Sequence, residues 1–394
     1  MSARQTDTDS RRTVIRTLLG GSALAAVAGS AALGVGAAEA QAAPAGTTVD
    51  PFETARFTPN GRTREYWIQA DSFLHNTVPN GVDGMMGTAY APDQTSFWAV
   101  GFRAYTPGWG EPLAADLGVR GIGANSGIPG PVIRAVVGDT VKVHFRNNDE
   151  HYKWPHSMHP HGVRYDPDND GGYLADAPQR PGTAVGFGET YTYTWTCQPS
   201  SVGTWPYHDH SVPQTIPGPS ARTAGSLAAG SMPTAGMPAG GMAMGGGGVM
   251  EIGAELGLFG IIAVTDELTP AVDREFVLFF HDVYQADVPS VAQDLDLFNG
   301  GAFLDNTPTF TAKVGERVRW RIAALGKEFH VFHLHGHRWR SDQGYQGWVD
   351  SQLIGPSTTL TVEYTEDNPG DWIYHCHVTD HMMGGMVGRY RVTR

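Results

Sequence analysis

Cysteine is nearly absent. The 394 residues contain two, Cys197 and Cys376, so at most one disulfide can form, and none if Cys376 has another use; the fold rests on packed cores. Charge is scarce too, at 17% of residues, and unbalanced: 27 Lys and Arg stand against 40 Asp and Glu, for a net charge of −13. That sign argues against nucleic acid or an anionic membrane as the main partner and suits cationic or neutral substrates. Helical composition is lacking. Short runs rich in Val, Thr, Tyr and Trp recur between turn residues, and Gly is abundant at 51. This is the composition of an all-β protein. The length accommodates two ordinary domains, each with its own core.

Residues 1–42 read as an export signal. Ser10-Arg11-Arg12-Thr13-Val14-Ile15 is a twin-arginine pattern, followed by an Ala/Gly/Leu stretch from Leu18 to about Ala38 and by Ala40-Gln41-Ala42, which fits A-x-A cleavage. The apolar run is barely long enough to span a bilayer and poor in Leu, Ile and Phe, so cleavage is expected rather than an uncleaved anchor. The expected location is secreted, periplasmic or cell-envelope. The twin-arginine route carries proteins already folded.

Strand-like segments begin near Arg64, at 65–70 and 96–100. The runs 128–134 and 137–145 alternate in character around Gly138-Asp139, which reads as a β-hairpin turn. The same pattern returns at 309–320 around Gly315-Glu316, and in both copies a His cluster follows closely, then a long loop, then a second cluster ending a strand. This internal repeat predicts two β-sandwich domains of related design, at about 50–265 and 270–394. Between them, 217–257 is rich in Gly, Ala, Ser and Pro and carries Met232, Met237, Met242, Met244 and Met250. It has no periodic apolar pattern and reads as an inserted surface loop, although spaced thioethers are also soft ligands suited to Cu(I).

The chemistry gathers in four clusters: His159-Pro160-His161, His208-Asp209-His210, His330-Val331-Phe332-His333-Leu334-His335, and His375-Cys376-His377 with His381 and Met386 beyond it. Alternate side chains of a strand point to opposite faces. His375 and His377 therefore look one way and Cys376 the other, and the next turn can bring His381 and Met386 round to the Cys376 side. His333 and His335 share a face, whereas His330 lies an odd number from both and faces away. Two His, one Cys thiolate and a weak axial Met are the ligand set of a blue, electron-transferring copper. The flanking His pair must serve a second site on the opposite face.

Four such clusters in this order, one containing the Cys, resemble the copper-binding motifs of the multicopper oxidases, with the spacing of the two-domain bacterial laccases. The resemblance runs from about residue 60 to the end, leaving out the Met-rich stretch, and implies two cupredoxin-like Greek-key β-sandwiches. It implies a type 1 copper on His330, Cys376, His381 and Met386. It further implies a trinuclear site, with type 2 copper on His159 and His333, one type 3 ion on His161, His208 and His377, and the other on His210, His335 and His375. Each active unit would hold one type 1, one type 2 and two type 3 ions. In the two-domain enzymes the position matched by Tyr165 lies near the trinuclear site, and the one matched by Asp170 assists proton delivery. Met382 stands where many three-domain relatives carry an acid, so no proton route is expected from that side. Of the remaining histidines, His156 and His337 border clusters and are candidate partners of ligands. His75, His144, His151 and His281 read as structural or surface residues. Cys197 has no His and Met at ligand spacing and reads as a small buried apolar residue.

In the enzymes resembled, domain 1 of one subunit meets domain 2 of the next in a ring of three, so a homotrimer with trinuclear sites at the subunit interfaces is expected. The leading functional expectation is a laccase that oxidises phenols and aromatic amines and reduces O₂ to water. A cuprous oxidase for copper tolerance is the alternative, favoured by the spaced Met residues and the net charge. An exported copper carrier is the non-enzyme alternative, although a carrier would not need eight His in a complete cluster. A copper nitrite reductase is disfavoured, because it places its blue copper in domain 1 and lacks the full type 3 set.

Overall fold

The computed structural model describes residues 60–113, 119–120, 127–212, 252–341 and 347–394. They belong to one compact body within 51–394. The export signal lies outside the described residues, as does most of the Met-rich stretch. The end of that stretch is described: Ile252–Glu255 forms a short helix whose Ile252, Gly253 and Ala254 are buried.

Twenty strands follow one another along the described chain. The first nine are β1 (Thr63–Asn76), β2 (Ser96–Tyr105), β3 (Val119–Arg120), β4 (Ile133–Val136), β5 (Thr140–Asn148), β6 (His159–Pro160), β7 (Thr190–Thr196), β8 (Gly203–His208) and β9 (Phe259–Thr265). They make two four-stranded sheets ordered β2-β1-β5-β7 and β4-β9-β8-β6, with β3 pairing across to β10. Then come β10 (Arg274–Val283), β11 (Leu295–Phe298), β12 (Thr309–Lys313), β13 (Arg317–Ala324), β14 (His330–Leu334), β15 (Trp339–Arg340), β16 (Trp348–Val349), β17 (Ser351–Ile354), β18 (Thr359–Thr365), β19 (Gly370–Cys376) and β20 (Val387–Thr393). These form the sheets β11-β10-β13-β18 and β12-β20-β19-β14-β17, with β15-β16 apart. The duplication read from the sequence is visible strand by strand. In each half the first long strand pairs parallel with the strand after the Gly-acid turn, β1 with β5 and β10 with β13. In each half the strand before that turn pairs parallel with the last strand, β4 with β9 and β12 with β20.

One expectation is corrected here. The turns at Gly138-Asp139 and Gly315-Glu316 do not close hairpins. β4 and β5 lie in different sheets, and so do β12 and β13. Each turn is a corner that carries the chain from one sheet of a sandwich to the other. The alternating pattern is the same in both cases because both strands keep one face on the shared core, and alternation reports the buried face rather than the partner. The corner itself is tight: the Asp139 N–H reaches the Val136 carbonyl at 2.9 Å, and Gly138 takes φ +98°, which few other residues adopt.

β10 explains why the two sandwiches form one body. Its sequence from Glu275 to Val283 is buried throughout. Phe276, Leu278 and Phe280 enter the domain 2 core, whereas Val277 and Phe279 join the domain 1 core, where Phe279 packs on Phe259 at 4.7 Å between ring centres. A strand covered on both faces reads as an unbroken apolar run. Each such Phe contributes about 1.5–3 kcal/mol on burial. Polar contacts finish the seam, with Arg321 Nη1 donating to Thr204 Oγ1 at 2.8 Å and Arg134 of β4 paired to Glu275 at 2.7 Å.

Candidate metal centres

The strand ends gather the predicted ligands into three groups. His330, Cys376 and His381 form the first, with all ligand atoms within 4.8 Å of one another. The Nδ1 atoms of His330 and His381 are 3.1 Å apart, and lie 3.9 and 3.7 Å from Cys376 Sγ. Met386 is fully buried in the same core, and its backbone bonds to those of Cys376 and His381. The pocket is made by β14 and β19 and capped by the helix Thr379–Gly384, which brings His381 back over Cys376. The backbone N–H of Val331 donates to the sulfur at 3.4 Å. Burial pushes the Cys376 thiol up to about 11 and the His330 imidazole down to about 3. A metal must therefore displace the thiol proton, while the imidazole is already a free base.

His159, His161 and His208 form the second group, and His333, His335 and His375 the third. His210 completes the second at 5.2 Å from the His159 ring, and His377 completes the third at 5.2 Å from His333. The two quartets match in detail. His159 and His333 each turn Nδ1 to a backbone carbonyl, of Asp170 and Asp350, at 2.7 Å. His208 and His375 do so to Asp209 and Cys376, at 3.0 and 2.8 Å. Fixing Nδ1 leaves Nε2 for the metal. The pairs His161–His208 and His335–His375 approach to 3.2 and 3.1 Å through Nε2. Burial, and then neighbouring His, lower His161 and His375 to about 4 and His208 to about 3. Both quartets open to the surface: His377 is exposed, and His159, His161, His210, His333 and His335 are half-buried. Each of the three groups draws on one domain alone.

These donor sets suit copper, with two imidazoles and a thiolate in one and imidazoles alone in the others. A multicopper oxidase family model matches residues 112–221 and a second matches 280–394, together more than half of the sequence. The chain belongs to the multicopper oxidase family. Its relatives within and around that family include the mouse ferroxidase HEPHL1, 27% identical over 84% of this chain, and human ceruloplasmin, 28% identical over 68%. A probable nitrite reductase–hydroxylamine oxidoreductase fusion from Kuenenia stuttgartiensis is 29% identical over 72%. The chain spans 29%, 24% and 29% of those proteins, less than a third of their length. Among solved structures, a multicopper oxidase matches with TM-score 0.56 at 19% identity, covering 85% of this chain and 91% of that one. Copper nitrite reductase from Nitrosomonas europaea matches with TM-score 0.56 at 21% identity, covering 84% and 95%. Both show the cupredoxin-like, all-β fold. Family membership implies copper at the centres.

Tyr165 and Asp170 both border the domain 1 quartet. The Tyr165 ring is 6.1 Å from that of His159, and Asp170 Oδ1 is 3.4 Å from His159 Nδ1. Burial, and then Asp170 beside it, push the Tyr165 hydroxyl up to about 12. Cys197 is buried in the domain 1 core, where burial pushes its thiol up to about 12. His337 sits one strand end from His335, bonded to Glu366 at 2.9 Å. Sequence reasoning missed the carboxylates behind the Cys376 centre. Glu328 bonds His381 Nε2 at 2.9 Å, Asp282 Oδ1 stands 3.8 Å from His330 Nε2, and Asp296 lies beside Asp282. No spacing marks them, because three separate loops and strands deliver them.

Proposed function

We propose that the chain is a laccase-type oxidase, taking single electrons from phenols or aromatic amines at His330–Cys376–His381–Met386 and delivering them to O₂ at the two His quartets. The observation that carries this is covalent: Cys376 of the first centre lies between His375 and His377 of the domain 2 quartet. Copper bound there would supply one-electron acceptance at the first centre and four-electron reduction of O₂ to water at the second. The protein's part is to hold neutral imidazoles in place, to keep the thiol dry, and to bring protons through Asp170 and Tyr165. We assign one type 1, one type 2 and two type 3 ions.

Each quartet divides in the same way, into one Nε2-facing pair, whose second His is anchored to its neighbour's carbonyl, one further carbonyl-anchored His and one remaining His. Two such halves make a complete site: His159 with His333, His161 and His208 with His377, and His335 and His375 with His210. Because each half lies open at the surface, the reading places the join between subunits of a homotrimer, domain 1 of one against domain 2 of the next. Sedimentation that finds a monomer with full copper content overturns this. Export by the twin-arginine route belongs to the same proposal.

A cuprous or other metallo-oxidase is the second reading, favoured by the carboxylates of Asp282, Asp296 and Glu328 behind His330 and His381. The ferroxidases and ceruloplasmin among the relatives lend it weight. O₂ uptake by the copper-loaded protein with a panel of phenols, aromatic amines and Cu(I) separates the two. Turnover of Cu(I) alone removes the laccase reading, and no uptake with any donor leaves a carrier.

A further inference from the structure

The duplication gives two residues of the Cys376 centre, His330 and Cys376, counterparts in domain 1. β6 pairs with β8 so that His159 faces His208, and β14 pairs with β19 so that His333 faces His375. Counting from those pairs, Asp209 stands where domain 2 has Cys376, and His156 stands where it has His330. The two are bonded: His156 Nδ1 lies 2.8 Å from Asp209 Oδ2, and His156 Nε2 lies 3.2 Å from Asp149. All three are buried, at 1%, 2% and 0% exposure. Asp209 Oδ1 also accepts from the Ser157 N–H at 2.9 Å, the Ser157 hydroxyl at 3.2 Å and the Ser211 N–H at 3.0 Å. Ser157 Oγ in turn accepts from the His210 N–H at 3.1 Å. Gly253 closes the pocket from the short helix, where a Cβ would come 2.0 Å from Asp209 Oδ2.

We propose that Asp209 is the positioning residue of the domain 1 half-site, joining the segment that carries His159 and His161 to the one that carries His208 and His210. The ladder between those segments is only the two-residue strand β6 against β8. Beside it stand the Ser211 hydroxyl donating to the Pro155 carbonyl at 2.8 Å and the His161 N–H donating to the Pro206 carbonyl at 3.0 Å. Asp209 and Ser157 add the buried ties, through a carboxylate that must keep its partners because a buried charge without them is strongly unfavourable. In domain 2 the same two positions are the proposed type 1 ligands, so an ion bound there would tie those segments. Domain 1 makes the tie permanently with an ion pair.

The inference rests on the reading of the quartets as halves of a trinuclear site, and the test separates the two. Wild-type and Asp209→Asn proteins are loaded with copper and compared by copper stoichiometry under a competing chelator, by the blue type 1 band, and by the type 2 resonance and type 3 near-ultraviolet band. The expected result is an unchanged blue band with affinity for the other ions lowered about 10–100-fold, the usual effect of losing an outer-shell partner. Wild-type affinity throughout, or a parallel loss of type 1 copper, overturns the proposal. If Asp209→Asn does not fold, Ser157→Ala keeps the ion pair and removes the two hydroxyl bonds, to Asp209 and from the His210 N–H; a smaller loss confined to type 2 and type 3 signals is expected, and none overturns it. A wild-type protein that binds the blue copper alone defeats the half-site reading itself.

Discussion

The two domains share eight corresponding strands, to which domain 2 adds β15, β16 and β17, and each carries a four-His quartet, yet only domain 2 keeps a Cys behind its quartet. Where domain 2 places His330 and Cys376, with Sγ 3.9 Å from Nδ1, domain 1 places His156 and Asp209 at 2.8 Å. The shorter distance is that of a direct hydrogen bond, and the longer one leaves room for an ion between the atoms. The difference teaches how a duplicated site divides its labour. On the proposed function, a thiolate is needed where electrons arrive, and a carboxylate suffices where His residues need only be held.

Breaking the electron-accepting side should have the largest effect. Cys376→Ser is expected to abolish the blue band and to lower donor-driven O₂ uptake by orders of magnitude, with the domain 1 quartet untouched; a retained blue band would place the centre elsewhere. Next comes the meeting of the halves. Subunits with His208→Ala and His210→Ala, and subunits with His375→Ala and His377→Ala, should each be inactive alone. Co-assembled, they should regain about a quarter of the activity, since random neighbours in a closed ring restore one interface in four. No recovery on mixing means that both halves come from one chain.

The smallest expected effects compare the two corners. Asp139 is fully buried and accepts from Asn60 at 3.0 Å, from the Val136 N–H at 2.9 Å and from Arg64. Glu316 is part-exposed and pairs with Arg274 through two bonds of 2.8 Å. Burial alone would raise the Asp139 pKa, but its three donors outweigh burial and hold it below 3.8; Arg274 first of all lowers Glu316 below 4.5. Both carboxylates thus contribute stability that is fully present above their unfolded pKa and lost as pH falls through the folded one. Asp139→Asn should cost about 1–3 kcal/mol at neutral pH and Glu316→Gln about 1 kcal/mol or less. Unfolding midpoints measured from neutral pH down to about pH 3 should show both gaps closing in acid.

Much of this was legible because it is local or periodic. Strand parity alone separated His375 and His377 from Cys376, and His330 from His333 and His335, and the folded strands bring together the groups so separated. The repeat was legible too, since it shows as the same Gly-acid turn followed by the same clusters. The corners were misread as hairpins because alternation records a shared core and says nothing of which sheet a strand joins. Glu328, Asp282 and Asp296 were invisible, being assembled only by tertiary contact. Asp209 was in plain view in His208-Asp209-His210. Laying it over His375-Cys376-His377 would have found it, and the β6–β8 and β14–β19 registers supply that overlay.

The doubly buried strand β10 has a consequence for assembly. By welding the sandwiches through Phe276–Phe280 it makes each subunit a stiff tile with two unlike edges. On the proposed function, such a tile completes its trinuclear site by meeting neighbours rather than by folding its own edges together. If the quartets are joined between subunits, as proposed, copper at them is governed by mass action among chains as well as by the metal supply. Dilution at constant free copper should strip the His-only sites while Cys376 keeps its ion, a loss that copper analysis across a dilution series would read directly.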